Sequence, residues 1–128
     1  CAVARKLGAT VVQQKIDENL RLGRFPITVD ASGRAEGIRL AIASTEMEGT
    51  CTSIGIYFAD VPLPLFNMYT RGIRFVTGRI HTRRDLPVAL ELAAKGAFDL
   101  GAVATTRVAW ERAAEAWLEP APKLVLHR

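Results

Sequence analysis

Strand-like and helix-like segments alternate along this chain in steps of roughly twenty residues, and that order constrains the fold more than any single motif in it. "ATVVQQ" is a short β-branched run. The polar "KIDENLRLGR" after it allows about two helical turns. "FPITVDASG" places Phe25, Ile27 and Val29 in a buried-looking strand closed by a small, Gly-ended turn. "RAEGIRLAIASTEMEG" has Ile38, Leu40, Ala41, Ile42 and Met47 at helical spacing, with Gly49 to end it. "TCTSIGIYF" is small or apolar almost throughout, as a strand covered on both faces should be. Such alternation predicts an α/β fold in three layers, built on a parallel sheet with right-handed helical crossovers.

The second half continues the pattern. "VPLPLFNMYT", with two prolines, predicts a loop and a short turn of helix, and "GIRFVTGRI" a fourth strand. "RRDLPVALELAAKGAFD" predicts an amphipathic helix with Asp85 as N-cap, Pro87 in the first turn and Gly96 after the last. A strand "AVATTRVA", a helix "AWERAAEAWLEP" and a strand "KLVLHR" close the chain. No repeat or flexible linker interrupts residues 1–128, so a single domain is the economical expectation.

The chain opens "CAVARKLGATVV", a helical pattern already under way at its first residue. Basic residues and Gly8 are placed to stop it, and no Ser, Thr, Asp or Asn caps its start. The expectation is a chain cut inside an element of something longer.

Composition removes several function classes. With 128 residues, 49% hydrophobic and 23% charged, the chain can bury one ordinary core without disulfides. Cys1 and Cys51 are its only cysteines, and Cys51 sits in an apolar run as a small hydrophobe. No apolar run approaches the ~18 residues that cross a bilayer, and no signal peptide is visible, so a cytoplasmic protein with no membrane partner is expected. The net charge of +4 comes mostly from arginine, densest at Arg71, Arg74, Arg79, Arg83 and Arg84. Without interleaved aromatics or a nucleic-acid module, that cluster reads as a solvated rim, and no nucleic-acid partner is expected.

Parallel sheets bind ligands beyond the carboxyl ends of their strands, where small residues let a ligand approach the backbone. Three such ends occur here: Ala31-Ser32-Gly33, Gly55 within "SIGIY", and Gly78 within "VTGRI". Together they would form a long, shallow groove suited to an extended ligand such as a dinucleotide. The G-x-G-x-x-G turn that usually cradles such a ligand is not found among the ten glycines. No catalytic apparatus is legible either. His81 and His127 stand apart, no zinc-ligand spacing occurs, and Ser32, Ser44 and Ser53 do not form a G-x-S-x-G elbow. Glu46 and Glu48, flanking Met47 at the expected helix end, read as a solvated pair.

The segments "ARKLGATVV", "VDASGRAEGIRLAI", "GTCTSIGIYFADVPLPLFNMYTRGIRFVTGR" and "DLGAVATTRVAWERAAEAWLEPAPKLVLHR" resemble, in order and spacing, the nucleotide-binding domain of the medium-chain zinc-type alcohol dehydrogenases. The resemblance runs from that domain's second helix to the end of the chain. It implies a partial Rossmann fold lacking its first strands, NAD or NADP as cofactor, and hydride exchange with a small-molecule alcohol or carbonyl compound. It also implies a homodimer joined through residues 72–80. Residue by residue, Ala31, Ser32, Gly33, Ile54, Gly55, Ile56, Thr77, Gly78 and Arg79 match positions lining the cofactor groove. Lys123 matches a basic position that reaches the cofactor pyrophosphate, where an ammonium can act as a point charge. The family's Gly-rich turn, ribose-binding acid and zinc-bearing catalytic domain have no counterpart in these residues. This chain alone is therefore expected to be inactive, with no catalytic or metal-binding residue of its own.

Two functional classes follow: the cofactor-binding part of a nicotinamide-dependent dehydrogenase, or a non-catalytic oligomerisation module on the same fold. Loss of the first strands would also leave "ATVVQQ" without its usual neighbours. It is expected either to pair beside "FPITVDAS" or to exchange between two chains.

Overall fold

In the computed structural model, residues 1, 11–14, 17–19, 98, 100, 102–105 and 122 are outside the described set. The described elements are, in order, α1 (Ala2–Lys6), β1 (Phe25–Asp30), α2 (Ala35–Ser44), β2 (Thr45–Ser53), α3 (Leu65–Thr70), β3 (Arg74–Thr77), α4 (Thr82–Ala94), β4 (Thr106–Ala109), α5 (Ala113–Trp117) and β5 (Leu124–His127). They divide into two compact units, residues 14–80 and residues 1–13 with 81–128. Both units are built on parallel strands, as the alternation predicts.

The unit of residues 14–80 holds a three-stranded sheet in the order β1-β2-β3. Ile38 and Ile42, one turn apart on α2, pack with Cys51 of β2 and Met68 of α3 into the core of this unit. Cys51 is thus the small buried hydrophobe expected of it.

Three expectations are corrected here. The helix expected to reach Gly49 stops at Ser44, and β2 starts at once with Thr45. Thr45 is fully buried. Its hydroxyl donates to the Ala41 carbonyl at 2.9 Å and accepts from Thr28 of β1 at 2.8 Å, so pairing with β1 overrides the helical spacing. Glu46 and Glu48 consequently lie in an irregular stretch of β2, not at a helix end. The register there jumps from Phe25↔Thr45 to Ile27↔Thr50, and Glu48 takes a left-handed φ of 59°.

The strand expected over residues 50–58 ends at Ser53, because the chain turns away where Gly55 meets the preceding loop. The third correction concerns β1. Phe25, Ile27 and Val29 are exposed, Ile27 at 70%, whereas Asp30 is buried at 3%. Alternation along β1 was legible, but α2 packs on the face that carries Thr28 and Asp30.

The other unit supplies three tests of helix ends. Gly8 terminates α1 as expected: its φ is +88°, its N–H donates to Arg5 O at 2.9 Å, and Ala9 N–H donates to Ala4 O at 3.0 Å. Gly96 ends α4 the same way, at φ +73° with Ala97 N–H on Leu92 O at 3.0 Å. The start of α4 differs. Asp85 is not the N-cap, because His81 O already accepts from Arg84 and Asp85 N–H, and the helix begins at Thr82. Asp85 instead accepts a 2.7 Å contact from Arg84, and Pro87 lies inside the helix beyond its first turn.

In the same unit β4 pairs parallel to β5, and a 3₁₀ turn (Trp110–Arg112) leads into α5. Arg128 lies over the Trp110 ring, 5.1 Å from its centroid. The strand expected over residues 102–109 is present from Thr106; its first four residues lie outside the described set, as do residues 11–14 of "ATVVQQ". Ala9 and Thr10 carry no strand, and among the described residues β1 has β2 as its one neighbour. Of "KIDENLRLGR", Lys15, Ile16 and Leu20–Arg24 are irregular, and residues 17–19 lie outside the described set. No helix among the described residues is long and apolar enough to cross a membrane.

Candidate functional site

Because β1, β2 and β3 are parallel, their carboxyl ends lie at one edge. The register sets Asp30 beside Ser53 and Ser53 beside Thr77. The three small-residue turns named from the sequence therefore leave the sheet side by side, at the place where open parallel sheets present their ligand sites.

Two of the turns touch. Ile54 N–H donates to Asp30 O at 2.8 Å, extending the β1–β2 ladder by one bond beyond β2. A Cβ on Gly55 would stand 2.6 Å from Gly33 N, and one on Gly33 would stand 2.8 Å from Ile56 O. Gly33 also has a φ of +63°, which a side chain would strain. Close approach of the two turns thus requires both glycines. Ala31, Ser32, Ile54 and Ile56 are exposed around that contact. Thr77, Gly78 and Arg79 are exposed next along the edge, and a Cβ on Gly78 would meet nothing within 4 Å. Thr77 and Ser53 also line a cavity of about 410 Å³, walled by Tyr57, Phe58, Asp60 and Phe75. Lys123 belongs to the other unit, exposed just ahead of β5, with its carbonyl accepting from Thr106 N–H at 2.9 Å.

The sequence reading missed the group that ties this edge together. Asp30, the last residue of β1, directs its carboxylate between the two turns. Oδ1 accepts from Ser32 Oγ at 2.6 Å and from Ser32 N–H at 3.2 Å, and Oδ2 accepts from the Tyr57 hydroxyl. Ser32 Oγ in turn accepts from Arg34 N–H at 3.1 Å, at the entrance to α2. Glycine at position 37 clears the space, since a Cβ there would run into the Ser32 hydroxyl.

Burial pushes the Asp30 pKa upward, but hydrogen bonds from Ser32, Tyr57 and Ser53 outweigh it and hold the carboxyl below its ordinary value. Tyr57 is pushed up, by burial first and then by its bond to Asp30. An ionised carboxylate with both oxygens engaged is a structural anchor, not a free base. A signal for it was available: an acid closing an apolar strand and followed by Ala-Ser-Gly. Its partner Tyr57, 27 residues on, had none.

No family model matches the chain. Three curated relatives do, among them the following two. An alcohol dehydrogenase of Geobacillus stearothermophilus is 29% identical over 100 residues, covering 73% of this chain and 30% of the relative. A D-arabitol-phosphate dehydrogenase of Enterococcus avium is 27% identical over 115 residues, covering 83% and 33%. The chain thus spans about a third of the length of the curated relatives it matches.

Among solved structures, the 2R,3R-butanediol dehydrogenase of Bacillus subtilis superposes with a TM-score of 0.62 at 17% identity, over 90% of this chain and 29% of that one. A zinc-binding dehydrogenase of Sinorhizobium meliloti, bound to NADP, gives 0.62 at 20% identity, over 81% and 31%. At that identity the two structures speak for the fold, and the curated relatives carry the likeness in sequence. The chain is thus similar in sequence to part of an alcohol dehydrogenase and of a D-arabitol-phosphate dehydrogenase, and similar in fold to part of the two solved dehydrogenases.

Proposed function

We propose that residues 1–128 form, as one domain, the cofactor-binding and dimerisation part of an NAD- or NADP-dependent alcohol or polyol dehydrogenase. The observation that carries this reading is the contact of Gly33 with Gly55 at the carboxyl edge of the sheet, beside the turn at Gly78. Backbone bared in this way suits close approach by a dinucleotide. In this reading Ala31, Ser32, Gly33, Ile54, Gly55, Ile56, Thr77, Gly78 and Arg79 line the groove; Lys123, considered by itself, is proposed as a point charge for a pyrophosphate. The bound cofactor supplies hydride chemistry, and the chain's own residues bind and orient it. The substrate is a small alcohol or the corresponding carbonyl compound. Among the described residues no three His, Cys, Asp or Glu side chains converge to hold a metal. Zinc belongs, in this reading, to a part of the enzyme outside this chain, and the chain alone does not turn over substrate.

Titration of the complete gene product with NADH and NADPH, followed by cofactor fluorescence, tests the reading. Saturable binding of either supports it; binding of neither overturns it. A second reading, a non-catalytic oligomerisation module, is favoured by β3, which has β2 as its one neighbour among the described residues and exposes Val76. Sedimentation separates the two when combined with that titration. A dimer that binds neither dinucleotide and that Val76→Lys converts to monomer would favour the module.

A further inference from the structure

We infer that Asp30, Ser32 and Tyr57 act as a positioning clamp that sets the spacing of the 31–33 and 54–57 turns, and through it the affinity of the groove for a dinucleotide. The inference rests on the functional reading above and adds to it Asp30 and Tyr57, which lie outside the groove-lining set, and a second role for Ser32.

The case begins with the placement of Asp30. A carboxylate 3% exposed at the end of a strand is costly unless its oxygens are paired, and here donors come from both turns. Ser32 donates from the first turn through its hydroxyl and its N–H. Tyr57 donates from the far side of the second turn. Besides this link, the strand end and the second turn are joined by the hydrogen bond from Ile54 N–H to Asp30 O.

Two glycines keep clear the volume the clamp occupies. A Cβ on Gly37 would meet Ser32 Oγ and approach Asp30 Oδ1 at 2.9 Å, and one on Gly55 would come within 3.2 Å of Asp30 Oδ2. Gly55 therefore serves two geometries: it lets the two turns meet at Gly33, and it lets the carboxylate lie directly behind that contact. Tyr57 connects the clamp to the adjoining cavity, whose wall it forms with Ser53 and Thr77. Ligand binding in an extended groove depends on the separation of its two sides, so a loosened clamp raises the cost of ordering both turns around the ligand.

The test uses Asp30→Asn, Tyr57→Phe, Ser32→Ala and the conservative Ser32→Thr, with two readouts. In the chain itself, amide hydrogen exchange is followed at Ser32, Ile54 and Gly55, with Ile38 and Ile42 as internal controls. In the complete gene product, NADH or NADPH affinity and kcat are measured together. The expected result is exchange about tenfold faster in both turns with the α2 amides unchanged, and a cofactor KM raised roughly tenfold with kcat within about twofold. Ser32→Thr should restore both values that Ser32→Ala disturbs.

Faster exchange in the turns with unchanged cofactor affinity would overturn the positioning role and leave a purely structural network. Unchanged exchange and unchanged affinity would overturn the clamp altogether. If Asp30→Asn fails to fold, Tyr57→Phe and the Ser32 pair decide by the same two readouts. A wild-type protein that binds neither dinucleotide would overturn the functional reading and the positioning role with it. Wild-type binding with unimpaired variants would overturn the positioning role alone.

Discussion

The two ends of α2 are organised by opposite chemistry. Ahead of its N-terminal end, which faces the carboxyl edge of the sheet, two tight turns are organised around one buried carboxylate and short neutral donors. At its C-terminal end, where α2 passes directly into β2 without a glycine, the orphan carbonyls are met by arginines from elsewhere in the unit. Arg24 donates to Ala43 O and to Thr45 O, the latter at 3.3 Å, and Arg71 Nη1 reaches Ile42 O at 3.4 Å. Asn67 Oδ1 holds Arg71 Nη1 at 3.0 Å, while Arg71 Nη2 is buried with no hydrogen-bond partner among the described residues. Burial and the neighbouring Arg24 charge both push the Arg71 pKa down. One end is dense, small and negative at its centre. The other is an open hollow of about 760 Å³ bordered by guanidinium groups. The difference teaches that close backbone fit is concentrated at the carboxyl edge, whereas side chains reaching in from elsewhere cap the helix at the amino edge.

Substitutions can break that contrast, and the largest effect is expected where backbone meets backbone. In Gly55→Ala the added methyl would stand 2.6 Å from Gly33 N and 2.9 Å from Gly33 Cα, atoms that cannot swing aside. Overpacking of this kind should cost about 3 kcal/mol, read as a lower denaturant midpoint, and should abolish dinucleotide binding by the complete gene product. Next comes Asp30→Asn, at about 2 kcal/mol near neutral pH, for lost bonds to a buried charge. The sign of its pH dependence follows from the lowered folded-state pKa. A carboxyl held below its unfolded value of 3.8 contributes stability above that value and loses it as pH falls through the folded one. Wild type should therefore show an acid limb beginning near pH 4, and Asp30→Asn a shallower one. An equally steep limb in the variant would mean that other carboxyls govern it.

At the amino edge the penalties shrink. Arg24→Ala removes the donor that caps two carbonyls, but Arg24 is exposed and water can replace it, so about 1 kcal/mol is expected from thermal or chemical denaturation. Relief of the repulsion with Arg71 offsets part of the loss. Cofactor affinity should not change, since this end of α2 is remote from the turns that line the groove.

How much of this was legible beforehand depended on the range over which each signal acts. The helix stops at Gly8 and Gly96 were readable because a left-handed glycine settles them locally. The three turns were readable because small residues end parallel strands, and parallelism alone aligns them. The end of α2 was not, since Thr45 becomes a strand residue only through a hydroxyl contact with Thr28, 17 positions away. Nor was the exposure of Ile27 and Val29, because periodicity gives two faces without saying which one a helix covers. At the carboxyl edge, the three turns were legible and the pairing of Asp30 with Tyr57 was not. Asp30 reads as an ordinary strand-end acid until Tyr57 folds back onto it.

The smallest expected effect is the one that separates the two kinds of glycine at the carboxyl edge. Gly78 follows β3 as Gly55 follows β2, and the sequence offers no reason to rank one above the other. In the structure, a Cβ on Gly78 would meet nothing within 4 Å, and its φ is not left-handed. Gly78→Ala should therefore change stability by less than about 0.5 kcal/mol, with the narrower unfolded ensemble acting in the stabilising direction. A dinucleotide lying along the whole edge would make that same methyl visible. Cofactor affinity should then fall while the denaturant midpoint stays put, a pattern opposite to that of Arg24→Ala. If both quantities stay at their wild-type values, the ligand groove ends at the Gly33–Gly55 contact and does not extend over β3.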